Sequence, residues 1–428
     1  MSKLVRNIIL AAIFLISLSS VNQWTVLPIQ NTFVWWVIYI AILILALKGK
    51  IFYYDKKNDP NFYLIKIYLT WNVIAILRGF FVAEDYWEWK HLIGTSLVLL
   101  LPIITYVSSN TFLVQRIVNK WFTYVLPMFT FIWIFIAHGA YGRYLIPISF
   151  VLLFYPLLNK QWKLISLSIA IFVIAIDLGA RSNVIKFLVP FAIGLTYYFR
   201  SLLVYKLLVY TRIALLIAPF ILLILGITNI FNIFKMSDYI EGEYRVESSN
   251  KEWAGDGDLT VDTRTFIYVE VIASALKYDY VLFGRTPARG NESPSFGPAI
   301  DKELNRNKNE RFGNEVGIAN IFTWTGIVGV ILNFLIFIKA SYLGLKKSKN
   351  WVAKIIAIYI SFRWSYSWVE DFSRFDLSTL FLWICIAICL SKSFRAMTDN
   401  EFKNWARGIF DQRYRESILK KRPVITKK

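Results

Sequence analysis

The chain has 428 residues, 57% of them apolar and only 18% charged. Soluble domains carry roughly 25% charged residues, so a soluble globular enzyme is excluded. The net charge of +20 would suit a nucleic-acid binder, but the basic residues alternate from one connection to the next instead of forming one face, and no nucleic-acid partner is expected. Apolar runs of about 20 residues recur along nearly the whole length, each long enough to cross a hydrocarbon core as a helix. The expected class is an all-α polytopic membrane protein embedded in a lipid bilayer.

Twelve spans are predicted, at 7–21, 29–47, 61–82, 92–108, 121–138, 144–158, 162–178, 184–199, 213–234, 316–338, 351–369 and 376–391. The first follows "MSKLVRN" and ends in "SLSSVNQWTV", without a small-residue cleavage site, so it reads as a retained span and not a secretory signal. Short connections alternate between basic ("KGKIFYYDKKND", "TFLVQRIVNK", "NKQWK", "RSLLVYKLLVYTR", "KASYLGLKKSKN") and non-basic ("VNQWTVLPIQ", "EDYWEWK", "HGAYGR", "DLGARSN", "VEDFSRF"). The positive-inside rule places the basic set and both termini in the cytoplasm and the non-basic set outside. An even number of spans agrees with termini on one side.

This divides the chain into a nine-helix membrane region (1–234), a large extracytoplasmic loop (235–315), a three-helix membrane region (316–391) and a basic cytoplasmic tail (392–428). In the tail, Phe402, Trp405 and Ile409 share one helical face, which predicts an interfacial helix on the anionic leaflet. Cys385 and Cys389 lie four residues apart on one helix face of the last span and are expected to be buried packing residues. The loop holds a polar stretch, then "VDTRTFIYVEVIASALKYDY" with helical periodicity and Asp262 or Thr263 as N-cap, then "FGRTPARGNESPSFGP" and "DKELNRNKNERFGNE". A connection near 80 residues is expected to be the working part.

Arginines gather on the predicted outer side: Arg143, Arg181 and Arg374 in short connections, and Arg245, Arg264, Arg285, Arg289, Arg306 and Arg311 in the loop. Guanidinium is always charged and shaped for bidentate contact with phosphate oxygens. Several converging on one cavity make an anion site, while singly each is equally served by a local carboxylate such as Asp177, Glu370 or Asp371, or by lipid headgroups. For Arg374, next to "WVED", the local pairing is the stronger reading, whereas Ser182 and Asn183 add donors and acceptors beside Arg181.

Other chemistries find no foothold. The two histidines, His91 and His138, lack a metal-ligand neighbourhood, so no metal is expected. Nor is there a Walker loop, a Rossmann glycine pattern or a nucleophile elbow, and no cofactor is expected. A reaction at the outer side then needs a donor that is already activated and travels in the membrane, and a lipid diphosphate-linked glycan meets that demand. Its diphosphate is both the anion to be held and the leaving group whose growing charge arginines stabilise.

"GARSN" closing one span, "VIKFLVPFAIGL" opening the next, the loop helix "TRTFIYVEVIASAL", then "FGR" and "GNEVGIANIFTWTGIVGV" resemble, in this order, the O-antigen polymerase and ligase superfamily over residues 170–335. The resemblance implies that Arg181 and Arg264 contact lipid-linked substrate, that Asn314 belongs to the re-entry motif, and that Gly326 and Gly329 close it. Gly313 stands where the ligase-like pattern has histidine, which favours a polymerase of lipid-linked repeat units over a ligase.

The expected reaction is an inverting, metal-independent glycosyl transfer between undecaprenyl-diphosphate-linked glycans, donor and acceptor, building an O-antigen, capsule or exopolysaccharide, with a chain-length regulator as a further partner. Arg181 and Arg264 grip the diphosphates, helped by Arg143, Arg285, Arg289, Arg311 and Asn314, and Trp253 and Tyr268 stack on sugars. Glu315 is the candidate base, against the plainer reading of an i, i+4 pair with Arg311; Glu270 is the weaker candidate. Two rivals stand beside this reading. One is a ligase or other glycosyltransferase using Glu84 or Asp85 of "VAEDYWEWKH"; the other is a flippase for the same lipid, disfavoured because only Lys66, Arg78 and Arg363 fall inside spans.

Overall fold

The computed structural model describes residues 3–54, 59–235, 238–239, 245–246, 257–258, 262 and 264–415. Trp253 and Thr263 lie outside the described residues. Helices dominate, and the described strands are two short pairs, Arg245–Val246 with Gly257–Asp258 and Asn291–Glu292 with Glu310–Arg311.

Among the described residues, seven helical segments are long and apolar enough to cross a membrane: Thr32–Tyr53, Pro60–Phe80, Tyr86–Ser108, Thr111–Phe135, Arg181–Phe199, Tyr205–Ile227 and Gly317–Lys346. This corrects the expected count of twelve. Lys3–Ser19, Lys160–Ile176, Trp351–Tyr366 and Leu377–Leu390 have 17, 17, 16 and 14 residues. At about 1.5 Å per residue they fall short of a hydrocarbon core of about 30 Å. The expected span at 144–158 is cut into Tyr141–Tyr144, Ile146–Leu152 and Tyr155–Leu157, with Pro147 and Pro156 in the first turns of the latter two. Its residues are buried among other helices. Hydropathy records that a segment avoids water and is silent on whether lipid or protein covers it, which is why the count came out high. With it goes the parity argument for the termini.

Elsewhere the greasy exterior fits a bilayer. Phe33, Ile51 and Phe52 of the Thr32–Tyr53 helix and Leu207, Tyr210 and Ile224 of the Tyr205–Ile227 helix are exposed, a surface that soluble proteins avoid. Asparagine and aspartate begin many helices: Asn31, Asn110, Asn159 and Asn350, with Asp85 and Asp376, accept from backbone amides of the first turn. The Leu377–Leu390 helix is buried at every position but Ser378, and Cys385 and Cys389 are free, buried thiols, as expected.

The C-terminal helix Asp399–Phe410 departs from expectation. Phe402, Trp405 and Ile409 do share a face, but that face is buried against the Thr111–Lys120 helix instead of lying in lipid. The Trp405 indole donates to the Thr111 carbonyl at 2.8 Å, and Gln115 and Asn119 donate to the carbonyls of Trp405 and Ile409 at 2.6 and 2.8 Å. Amphipathicity specifies an apolar partner and leaves its identity open. "TFLVQRIVNK", expected to be a connection, is the helical half of this contact.

The segment that positions the candidate site is Gly317–Lys346, packed against Tyr63–Phe80, Trp351–Tyr366 and Leu377–Leu390. Its helix breaks at Gly326, where φ is 69° and ψ −173°. Irregular backbone at membrane depth is tolerated only when protein satisfies its polar groups, and here it is satisfied. Ile327 N donates to Val281 O at 2.9 Å, Arg285 N to Thr323 O at 2.7 Å, and the Trp71 indole to Thr325 O at 3.0 Å. Arg78 donates to the carbonyls of Phe283 and Gly284 at 2.7 and 3.2 Å. A Cβ on Gly326 would stand 2.3 Å from Leu282 O, so "FGR" and "TWTGIVG" are pressed backbone to backbone. Gly326→Ala combines this clash with a left-handed φ and is expected to cost at least about 1–3 kcal/mol, seen as a lower melting temperature in detergent. A variant melting with wild type would remove the break from the account.

Candidate functional site

Where the helix ends meet, a cavity of about 570 Å³ opens. Four guanidiniums line it, Arg143, Arg181, Arg264 and Arg374, with the carboxylates Glu315, Glu370 and Asp371 and the aromatics Trp24, Phe234 and Tyr366. "DLGARSN" supplies one wall. Asp177 accepts from Ala180 N at 3.1 Å and turns the chain, and the helix Arg181–Leu195 starts at once, with no side chain capping its first amides. Gly179, Ala180, Arg181 and Ser182 therefore present a helix N-terminus to the cavity, where the positive end of the helix dipole favours an anion, although the amides of Ala180, Arg181 and Asn183 are already bonded to the carbonyls of Asp177, Gly179 and Ala180.

Arg264 comes from the loop. Asp262 accepts from the amides of Arg264 and Thr265 at 3.0 and 2.9 Å, so it does the capping expected of it, and the helix Thr265–Lys277 follows. The Arg264 side chain donates to Val369 O at 3.2 Å and pairs with Glu315 at 2.6 Å. Arg143 differs from its neighbours: among the described residues it makes no ion pair, and its guanidinium lies 3.9 Å from the centre of the Trp24 ring. Burial, then the positive charge of Arg374, lowers the Arg143 pKa from its usual value. A desolvated cation facing another cation is the position that gains most from an incoming anion.

Arg374 keeps its local partner, Asp371, at 2.7 Å, and also lines the cavity, 5.2 Å from the same Trp24 ring. Burial opposes charge on Asp371, yet Arg374 and Ser373 hold its carboxyl below the usual range. Asn320 donates to Asp371 at 3.3 Å and to the carbonyl of Asn314 at 2.9 Å, tying the re-entry motif to this wall.

The other expected site residues fall in three places. Glu315 lines the cavity between Arg264 and Arg311, the latter at 3.8 Å, so it braces two arginines. Arg311 stands behind it over the Phe296 ring. Asn314 is buried, donating to Asn291 at 2.9 Å, and closes the loop instead of facing the cavity. Tyr268 donates to Trp368 O and lines an adjoining apolar groove. Glu270 is buried and accepts from Ser293 and the Ser295 amide, a loop-folding role.

Arg285 and Arg289 are not in the cavity lining but in an ionic clamp. Both pair with Glu310, and Arg289 also lies 3.3 Å from Glu88. Arg306 pairs with Asp85 and Glu88 at 3.1 and 3.0 Å, and Lys308 with Glu84 at 2.9 Å. The acidic turn before the Tyr86–Leu100 helix is thereby fastened to the loop, and Glu84 and Asp85 are committed to it. Lys308 holds the exposed Glu84 carboxyl below its usual value. At the less exposed Asp85 burial opposes the charge, but the Glu88 amide, Arg306 and Lys308 hold the carboxyl below the usual range, so the acid limb rests on Asp85. Burial alone would lower Lys308, but Glu88 and Glu84 raise it above the ordinary lysine range. A depressed carboxylate stabilises above its unfolded pKa of about 4 and loses this as pH falls through the folded value; a raised lysine stabilises below about 10.4 and loses it as pH rises through its own. Protease resistance of the loop is accordingly expected to be flat from about pH 5 to 10 and to fall on both sides. A midpoint near neutrality would contradict the clamp.

Fold and site define a class: an all-α membrane protein whose helix ends enclose an arginine-lined cavity. Compared with family models, curated proteins and solved structures, the chain matches none. Among the described residues no group of His, Cys, Asp and Glu is arranged to hold a metal ion.

Proposed function

We propose that the protein polymerises undecaprenyl-diphosphate-linked oligosaccharide repeat units into a surface polysaccharide, by glycosyl transfer at the outer face of a bacterial inner membrane. The observation that carries this reading is the joining of two unlike compartments. The arginine cavity shares Ile233, Phe234, Tyr366 and Val369 with an apolar groove of about 690 Å³. Pro219, Leu223 and Ile227 form one side of that groove and Val269, Ile272 and Leu276 the other. A diphosphate on a long hydrocarbon tail needs this combination of guanidiniums beside greasy wall. Arg143, Arg181 and Arg264 hold the diphosphate and stabilise it as it leaves. Basic and non-basic connections support the outward placement of the cavity and a cytoplasmic C-terminal tail. A chain-length regulator is proposed as a partner.

Two rivals part from this reading at one experiment. In cells lacking the protein, surface glycan is expected to collapse from long chains to single repeat units transferred to the surface. A ligase defect would instead leave long chains on the lipid carrier, and a flippase defect would leave single units on the cytoplasmic side. Unchanged long surface chains would overturn the proposal. Glu84 and Asp85, on which the ligase or other glycosyltransferase rival depends, are occupied by Lys308 and Arg306.

A further inference from the structure

Three carboxylates line the arginine cavity, and they are not equivalent. Asp371 has both oxygens occupied: Oδ2 by Arg374 at 2.7 Å, and Oδ1 by the Ser373 amide at 2.7 Å, the Ser373 hydroxyl and Asn320. Glu315 has a guanidinium at each oxygen, Arg264 at Oε2 and Arg311 at Oε1. Glu370 has one oxygen engaged, Oε1, by Lys186 Nζ at 2.8 Å, while Oε2 accepts no hydrogen bond among the described residues. Its backbone is fixed on both sides: the amide donates to Tyr366 O at 2.9 Å, and the carbonyl accepts from Gly317 N at 3.1 Å. The side chain is 16% exposed and its lysine 7%, so the pair is largely withdrawn from water, with the cavity as its opening.

Resting on the polymerase reading above, we propose that Glu370 is the general base of the glycosyl transfer and that Lys186 is its positioning residue. In the transfer, the acceptor hydroxyl gives its proton to Glu370 Oε2 while its oxygen bonds to the anomeric carbon of the donor. The bond from that carbon to the diphosphate oxygen breaks, and its electron pair leaves with the diphosphate, held by Arg143, Arg181 and Arg264. The proton then passes from Glu370 to water at the cavity mouth, and the carboxylate is restored. Lys186 keeps Oε1 turned away, so that Oε2 faces the reacting hydroxyl. Glu315 has the separate task of orienting Arg264.

The test uses the full-length protein in two assays. Binding is read with undecaprenyl diphosphate on purified protein. Extension is read in membranes of host cells that lack the native copy and have accumulated their own lipid-linked repeat units. General-base catalysis contributes on the order of 10²–10⁴ in rate. Glu370→Gln is expected to bind undecaprenyl diphosphate within about threefold of wild type and to extend at least about 100-fold more slowly. Glu370→Asp, which keeps the base and retracts it, should recover part of the rate, and Glu315→Gln should lose much less. Because Glu370→Gln leaves a buried ammonium without its counter-charge, with the Ser182 hydroxyl at 3.4 Å still accepting from it, the double variant Lys186→Gln with Glu370→Gln, neutral at both positions, is expected to stay folded, to bind, and to remain inactive. Normal extension by either Gln variant would overturn the assignment, as would a loss of binding parallel to the loss of extension, which would make Glu370 a shaping residue. If wild-type protein itself binds no undecaprenyl diphosphate, it is the polymerase reading that fails, and this inference falls with it.

Discussion

Alanine at Arg181 or Arg264 is expected to stop chain extension, leaving single repeat units where wild type gives a ladder on a polysaccharide gel. Removing one preorganised donor from a developing oxyanion costs roughly 10²–10³ in rate, and each of these arginines has more than a single bond to offer. Arg181 opens the helix Arg181–Leu195, so its guanidinium and the positive end of the helix dipole face the same volume. Arg264 spans that volume from the loop side, anchored on Val369 O. Lysine at either position keeps a point charge but forfeits the planar fork, and it should restore only part of the rate. Because both act on one leaving group, the double alanine variant should be little worse than either single one. Full-length chains in the alanine variants would remove both residues from the chemistry.

Glu88→Ala is expected to be the most damaging change for the fold. Its side chain is fully buried, 3.3 Å from Arg289 and 3.0 Å from Arg306, with Lys308 also on it. Four carboxylates of the clamp (Glu84, Asp85, Glu88, Glu310) balance four cations (Arg285, Arg289, Arg306, Lys308), so deleting Glu88 leaves an uncompensated positive charge around a dry centre. Breaking such a buried pair costs about 3–5 kcal/mol. The expected signs are a lower melting temperature in detergent and rapid proteolysis within 285–311. Glu84→Ala, at the exposed rim of the same cluster, should leave melting unchanged. Equal behaviour of the two variants would show that the cluster is solvated and not a clamp.

The contrast between these two clusters explains what the sequence disclosed. Arg143, Arg181, Arg264 and Arg374 belong to nine arginines in segments that read as lying on one side of the membrane, and the structure brings these four to one cavity. Arg285 and Arg289 carry the same chemistry on the same loop and end elsewhere, because Glu310 and Glu88 lie across from them. Sidedness is legible in one dimension, whereas pairing depends on which segments fold against each other. A signal was nevertheless present: the acidic triplet Glu84, Asp85 and Glu88, with i, i+3 and i, i+4 spacing, is opposite in charge to the basic "NRNKNER" and comparable in length. Nothing in the sequence marks Glu370 or Trp24 as a site residue: the first reads as a local counter-charge and the second lies in a plain connection. Helix type was legible from periodicity almost everywhere. Span count was not, because segments such as 144–158 are apolar for the sake of a protein interior.

The central claim is that the guanidinium cavity holds a diphosphate borne on a polyprenyl chain. Equilibrium binding of undecaprenyl diphosphate and undecaprenyl monophosphate to the purified protein, and to the variant with Arg143, Arg181 and Arg264 all changed to alanine, tests it directly. The account predicts that wild type prefers the diphosphate by at least about tenfold, near 1.4 kcal/mol, and that the triple variant loses this preference while still binding both lipids weakly through the apolar groove. Equal affinity of wild type for the two lipids, or an undiminished preference in the triple variant, would contradict it.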